Sequence, residues 1–592
     1  MALEIKTCQN CKAEFTLEPE DFVFYDKMKV PTPRVCPSCQ LMRRLAYRNE
    51  RSLYARKTSS DEKNVIAFLS QDKPMPVYSQ ETWSGDSWDP LDYGMTYDFS
   101  KPFFVQFSKL ISRLPWPALI NLNSTNSEYS NYSSNNTNCY LVFGSDYNEQ
   151  CAYATFAMHG RDSMEMYFTE KAELCYELMD CSDCYRVAFA QYATNCSDSC
   201  FLFACNNCSD CIGCVNLKNK QYCILNVQYG KDEYEKKKTD LDLGNGVNLR
   251  EFENKFNELK LCSPHKYAAI TSAESSTGNN LSHVKNCINC FDVYDGAEDC
   301  KNLFLAGWNL KDARNCSTSG YDSQLIYDSW GAFEGCSMIR FSCFNSGCRD
   351  LWYSMMSKAS HDLFGCFGLR HKSFCILNKQ YTEQEYNELF PKVIEHMKSI
   401  PFIGNDGYTY SFGDYFPPQL SPFSYNESSA QEYFPLSQQG ALSKGYAWKD
   451  PETAERAITL TAKQLPADIK GIKDSLVGEI IGCEHGGECE ERCARAFKLI
   501  RGELEFYRRM NLPVPRHCPN CRHYRRMKRR NPIKLWIRQC QCAGSQSENG
   551  AYTNQVAHIH GASACAIQFQ TPYAPDRAEI VYCELCYKTE TV

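Results

Sequence analysis

The chain has 592 residues, room for about four domains, with 36 cysteines, 43% hydrophobic and 23% charged residues, and a formal net charge of −7. No apolar run reaches the 18 or more residues of a membrane span, and the start from Met1 to Cys8 has neither the basic nor the apolar stretch of a secretory signal. An integral membrane protein is therefore excluded and a cytoplasmic location expected, where cysteines serve as metal ligands or small buried hydrophobes more often than as disulfides.

The charge is uneven. Leu41 to Lys57 carries +5 and Arg501 to Arg538 carries +10, leaving −22 for the remainder. Two basic islands thus flank an acidic middle.

At the N-terminal end, Cys8-x-x-Cys11 and Cys36-Pro-Ser-Cys39 lie 24 residues apart. Four soft donors on two tight knuckles are what a tetrahedral structural zinc requires. Buried, unliganded cysteines would not explain the pairing. The segment is also one half of a repeat. Phe24, Tyr25, Met28, Pro31, Pro33, Arg34, Cys36, Pro37 and Cys39 recur 482 residues later as Phe506, Tyr507, Met510, Pro513, Pro515, Arg516, Cys518, Pro519 and Cys521. The match continues through Arg43, Arg44, Arg48, Asn49, Leu53 and Arg56, so the two ends are copies of one module. Residues 1–95 read as the first copy.

The middle divides into 96–240 and 241–400, related by an offset of 152. Cys184, Cys196, Cys214 and Cys223 fall on Cys336, Cys348, Cys366 and Cys375, and Cys223-Ile-Leu-Asn226 returns as Cys375-Ile-Leu-Asn378. Each copy then enters a predicted helix, the second opened by a Thr382-x-x-Glu385 capping box. Short aromatic and β-branched segments recur every 11–12 residues or so, among them Cys139–Phe143 and Cys151–Phe156. Between Ala118 and Phe390 the one proline is Pro264, as continuous ladders that need every N–H would demand. The fold class expected is mainly β and multidomain, with zinc-ribbon or treble-clef modules at both termini flanking a duplicated, cysteine-rich β-solenoid of β-helix type. Two antiparallel sandwiches are the alternative, because strand spacing fits both. The 22 cysteines from Cys139 to Cys375 include knuckle-like pairs such as Cys181/Cys184, Cys205/Cys208, Cys211/Cys214 and Cys287/Cys290. The 152 offset replaces Cys205, Cys208 and Cys211 with Ser357, Ser360 and Leu363, which favours packing over ligation.

Residues 401–480 read as a Pro/Tyr-rich connector whose aromatics dock, with a short helix from Asp450 to about Leu460. Residues 481–592 form the second terminal module, with two zinc sites: Cys489, Cys493, Cys518 and Cys521, and Cys540, Cys542, Cys583 and Cys586. Cys489-x-x-x-Cys493 is one residue longer than usual, so Cys483 or His485 can stand in for Cys489. At the second site the offset changes from 482 to 504, and the N-terminal copy has Thr58, Ser60, Ser79 and Thr82 where this site has thiols. Hydroxyls do not hold zinc at neutral pH. About three zinc ions per chain are expected.

His558, His560 and Cys565 fall between these last knuckles. They either complete another metal site, hydrogen-bond within a turn, or serve a metal-finger (HNH-like) nuclease with catalytic His558 and His560. Arg522, Arg525, Arg526, Lys528, Arg529 and Arg530 follow the Cys518 knuckle. They form a surface for nucleic acid or for an acidic protein partner, the chain's own middle included.

The phrases Phe24-Tyr25…Cys36-Pro-Ser-Cys39…Arg43-Arg44-Leu-Ala-Tyr-Arg48-Asn-Glu-Arg51-x-Leu53-Tyr54 and Ser421-Pro-Phe-Ser-Tyr-Asn426…Ala430-Gln-Glu-Tyr-Phe-Pro435 resemble uncharacterised zinc-ribbon proteins of small-genome, candidate-phylum bacteria. The resemblance runs over most of the chain and implies zinc binding and a bacterial cytoplasmic origin, but no activity. In such proteins the positions of Thr58, Ser60, Ser79 and Thr82 tend to be cysteines, so this chain departs there. Non-catalytic binding or scaffolding is the expected function, because all-cysteine sites leave no open coordination position.

Overall fold

The computed structural model describes residues 3–450 and 457–591, and the expected helix from Asp450 to Leu460 falls largely outside them. The chain is mainly β and divides into two compact units, each assembled from distant segments. One comprises residues 1–119, 268–450 and 533–535; the other comprises 120–267, 451–532 and 536–592. Each unit therefore holds one cysteine-rich terminal module and one half of the duplicated middle.

In the unit holding residues 120–267, successive segments pair in parallel at steps of twelve. Tyr140 pairs with Ala152, Tyr167 with Met179, Tyr185 with Ser197, and Ser197 with Ser209. The other unit does the same at steps of eleven to thirteen, as in Ile270 with Leu281, Phe291 with Phe304, Gln324 with Ser337 and Arg349 with His361. Antiparallel sandwiches would pair these neighbours in opposite directions. Each ladder turns antiparallel only at its last short strand, Val227–Gln228 and Lys379–Gln380. A helix follows in both, Lys231–Leu241 and Glu383–Ser399; the latter carries the Thr382/Glu385 capping box. Pro264 lies outside both ladders, paired with Ile580. Between the ladders, Asn245 caps the helix Gly246–Leu261, its side chain accepting from the Val247 N–H.

The backbone explains the cysteines. From Asn135 to Asp210 every third residue has a positive φ near 50°, with Gly144 among them. An L-residue in that region costs about 1–2 kcal/mol, and Asn and Asp tolerate it best. Many cysteines follow such a bend directly, as in Asn138-Cys139, Asp180-Cys181, Asp183-Cys184, Asn195-Cys196, Asn207-Cys208 and Asp210-Cys211. Their side chains enter the ladder interior, where the thiol donates to carbonyls two residues back and nine ahead. Cys196 Sγ reaches Thr194 O at 3.4 Å and Cys205 O at 3.6 Å. Ser163 makes the same pair of contacts, to Arg161 O at 2.7 Å and Ala172 O at 3.2 Å, so Ser and Cys exchange freely here. Burial pushes the Cys184 thiol up to about 11, which keeps it a neutral, small hydrophobe.

The terminal modules dock on the ladders in matching ways. In one unit Phe24 and Tyr25 pack against Tyr327 with ring centroids 6.0 and 5.4 Å away. In the other, Phe506 and Tyr507 meet Tyr176 at 6.1 and 5.6 Å. The connector docks as well: Tyr410, Tyr415, Phe416 and Tyr425 are buried.

Substituting Asp183, an exposed bend residue with φ 52°, tests the account of the backbone. Asp183→Val should lower unfolding free energy by about 1–2 kcal/mol in a denaturant titration, whereas Asp183→Gly should cost much less.

Candidate metal centres

The first cluster joins Cys8, on the hairpin Glu4–Thr7/Glu14–Leu17, and Cys11 to Cys36 and Cys39 at the start of helix Pro37–Leu45. Proline at the first helical position leaves its missing N–H costless and lets the two cysteines share one side. Cys11 and Cys36 sulfurs lie 3.7 Å apart. Zinc with four Zn–S bonds of about 2.3 Å sets its sulfurs about 3.8 Å apart, so the cluster matches the ion. The Cys36 N–H donates to Cys8 Sγ at 3.2 Å, and a hydrogen bond from the Cys39 thiol lowers the Cys36 pKa. One sulfur is thus poised as a thiolate.

The second cluster is Cys483, Cys493, Cys518 and Cys521, with Cys518 to Cys521 at 3.5 Å and Cys518 to Cys493 at 3.9 Å. Cys483, not Cys489, occupies the place of Cys8. The Cys518 N–H donates to Cys483 Sγ at 3.3 Å, and Cys483 N–H to Arg495 O at 2.8 Å, as Cys8 N–H does to Ala13 O. The knuckle loop is seven residues longer than its N-terminal counterpart. That extra length carries His485, Cys489 and Glu491, which gather beside Cys521. Spacing favoured Cys489 because it lies nearest the usual knuckle length; the loop insertion overrides it.

The third cluster is Cys540, Cys565, Cys583 and Cys586, where Cys565 replaces the expected Cys542. Cys540 ends strand Trp536–Gln539, and Cys583 caps helix Glu584–Glu590. The Cys583 N–H donates to Cys540 Sγ at 3.2 Å, and Cys565 and Cys583 sulfurs are 4.0 Å apart. Cys542 belongs to an adjoining group with His558, His560 and Cys586. Extended backbone would set a Cys-x-Cys pair on one face, but both cysteines lie beyond the strand, and Cys542 turns back to bridge Ser547.

The N-terminal counterpart keeps the same skeleton without sulfur. Ser59 N–H donates to Val77 O at 2.7 Å, as Gln541 N–H does to Val581 O at 3.0 Å. Thr82 N–H donates to Ser79 Oγ at 3.1 Å, in the place of Cys586 N–H on Cys583 Sγ. Thr58 bonds Asp61 and Ser79 Oγ bonds Thr82 Oγ1 at 3.0 Å, each within its own turn, and the Val77 N–H donates across to Ser59 Oγ at 3.2 Å. Among the described residues, every metal-capable cluster lies in a terminal module and none among the ladder cysteines.

The basic helices start from these clusters and end on carboxylates of their own unit. On helix Pro519–Arg529, Arg522 meets Glu165 at 3.0 Å and Glu503 at 3.2 Å, and Arg526 pairs with Glu165, all nearly inaccessible to solvent. Arg525 and Arg529 share Glu177, at 3.5 and 3.4 Å, and Glu253. Arg530 bonds Asp180 at 2.8 Å and stacks 4.0 Å from the Phe168 ring centroid. Lys528 pairs with Glu491. In the other unit Arg44 donates to Ser317 Oγ at 3.1 Å and pairs with Asp328 at 2.5 Å, and Arg43 lies over the Tyr408 ring at 4.7 Å. Arg44 and Arg526 are related by the 482 offset, and Ser317 and Glu165 by the 152 offset.

Ligand removal separates the two assignments at the second cluster. Cys483→Ser should lose one metal equivalent by elemental analysis of the purified chain, while Cys489→Ser should keep the ion at Cys483, Cys493, Cys518 and Cys521.

No protein-family model and no curated protein matches the sequence. Among solved structures, the crystal structure of a "putative acetyltransferase" from Desulfovibrio desulfuricans G20 is 10% identical and matches 40% of this chain and 62% of that one. Its TM-score of 0.11 is too low for the likeness to carry any structural argument.

Proposed function

We propose that this is a zinc-stabilised, non-catalytic scaffold or binding protein, with zinc-ribbon or treble-clef modules at both ends and two β-solenoids between them. The observation that carries the reading is that each four-cysteine cluster is supplied entirely by the chain. A closed sulfur tetrahedron has no position for substrate or water. Its binding energy, on the order of 10–16 kcal/mol per site, goes into folding modules too small to stabilise themselves. The resemblance to zinc-ribbon proteins of candidate-phylum bacteria agrees with this.

The Arg-rich helices act in this reading as internal docking elements. Their carboxylate partners Glu165, Glu177, Asp180 and Glu253 belong to the same unit. That favours the chain's own acidic middle over nucleic acid as the partner of Arg522 to Arg530. Catalysis through His558 and His560 has less support. Both ring nitrogens of His558 are engaged, by Cys542 at 3.3 Å and by Glu590 at 2.9 Å, leaving none to take a substrate proton.

Gel-shift and filter-binding measurements on the zinc-loaded chain at low salt test this. No affinity that falls steeply with salt is expected, and nuclease activity lost in the His558→Ala/His560→Ala variant would overturn the reading. Docking itself is tested by Glu165→Ala, which takes the carboxylate from the buried Arg526, leaves Arg522 with Glu503 alone, and should cost about 3–5 kcal/mol of stability.

Acid should loosen the same contact. Burial would raise the Glu177 pKa, but Arg525 and Arg529 outweigh it and hold the group at about 2, below its usual 4.5. A depressed folded pKa contributes stability above pH 4.5 that is lost as the pH falls towards 2. Urea titrations should therefore give Glu177→Gln a shallower loss of stability over that window than the unsubstituted chain.

A further inference from the structure

The third cluster has more ligands than one zinc can use. Relative to the N-terminal copy, the segment joining its two strands is longer by 22 residues, the difference between the 482 and 504 offsets. That insertion delivers His558, His560 and Cys565 to a place where the N-terminal copy has a tight turn from Thr58 to Lys63.

Cys565 completes the sulfur tetrahedron with Cys540, Cys583 and Cys586. Cys542, His558 and His560 gather with Cys586 in an adjoining group. His558 Nδ1 lies 3.3 Å from Cys542 Sγ, and His560 Nε2 lies 3.3 Å from Cys586 Sγ. With Zn–N bonds of about 2.0 Å and Zn–S bonds of about 2.3 Å, a tetrahedral ion sets nitrogen and sulfur ligands about 3.5 Å apart.

The remaining ring nitrogens carry the stronger argument. His558 Nε2 lies 2.9 Å from Glu590 Oε1, a carboxylate buried with it. His560 Nδ1 lies 2.7 Å from the Ser563 carbonyl oxygen, which can only accept. A proton on each of these nitrogens leaves the lone pair of the other facing the sulfurs. A metal-bound histidine is held in this way, by an acceptor on its far nitrogen that fixes tautomer and ring orientation. Asn554, held through its oxygen by Tyr582, donates to Cys542 Sγ at 3.2 Å and would steady a thiolate there.

We propose that this module binds two zinc ions sharing the Cys586 thiolate, one in an all-sulfur site and one held by Cys542, His558, His560 and Cys586. Binding of the second ion displaces the Cys542 thiol proton, while the histidines bind neutral. Charge favours the pair. Five thiolates and two dications leave one net negative charge, against two for an isolated four-thiolate zinc. The group beside Cys521 is a weaker candidate, because its Glu491 is already engaged by Lys528 and His485.

The proposal rests on zinc being the protein's metal, and zinc content of the full-length chain separates the two ideas. Four ions per chain, falling to three in His558→Ala/His560→Ala with unchanged circular dichroism, are expected. Three in both proteins, or four in both, would overturn the shared site and leave the scaffold reading standing. A folded chain free of zinc would overturn both. Should the double variant fold poorly, Glu590→Gln serves instead. Titration with a competing chelator should find one of the four ions bound 10–100-fold more weakly, and no weakening would refute the site. Cadmium-113 NMR of the cadmium-loaded chain should resolve a mixed sulfur–nitrogen resonance besides the all-sulfur ones; its absence would do the same.

Discussion

Each unit turns on a buried guanidinium carried by the helix that starts at a Cys-Pro-x-Cys knuckle. Arg44 and Arg526 are among the largest side chains the protein removes from water entirely. A charge so placed must be paired and hydrogen-bonded or it is ruinous. Arg44 finds Asp328 and Ser317, and Arg526 finds Glu165. The cysteine cluster lies where the helix begins, the helix carries the guanidinium, and the ladder supplies the carboxylate. Loss of any one of the three leaves the others with an unpaired charge or an unsupported helix.

The ladders have their own constraint. A positive φ at every third residue is costly for L-amino acids, yet it recurs over some twenty-five rungs and bends. Parallel pairing at twelve-residue steps offsets the cost by satisfying the backbone between neighbouring segments. Small thiols and hydroxyls behind the bends line the interior, donating to two carbonyls at once. The abundance of cysteine in the middle is thus a packing solution, while the cysteines at the ends gather into clusters that could hold metal ions.

Duplication joins the two. The terminal repeat and the middle repeat act on the same contact, and one unit combines the first terminal module with the second ladder, the other the reverse. The copies differ at the cysteine clusters. The C-terminal module gained loop length at both clusters, and with it additional nitrogen and sulfur donors. The N-terminal copy keeps the backbone hydrogen bonds, has hydroxyls where Cys540, Cys542, Cys583 and Cys586 stand, and lacks the insertion that carries Cys565.

The amino-acid order alone determined the repeats, the paired knuckles, the proline-free stretch and the uneven charge, because each is a local pattern with a fixed period or spacing. Asn or Asp followed by Cys at multiples of three was a further legible signal for the bends, since those residues tolerate a positive φ. Which four sulfurs meet was decided only in three dimensions. Cys483 rather than Cys489, and Cys565 rather than Cys542, close their tetrahedra because inserted loops fold back over distances that spacing rules do not measure. Glu590 and Asn554 carry no motif at all; their place beside His558 and Cys542 exists only once helix and loop have packed. The uneven charge offered the acidic middle as one partner of the basic islands, but not which carboxylates, because a guanidinium's partner is whichever carboxylate the fold brings within reach.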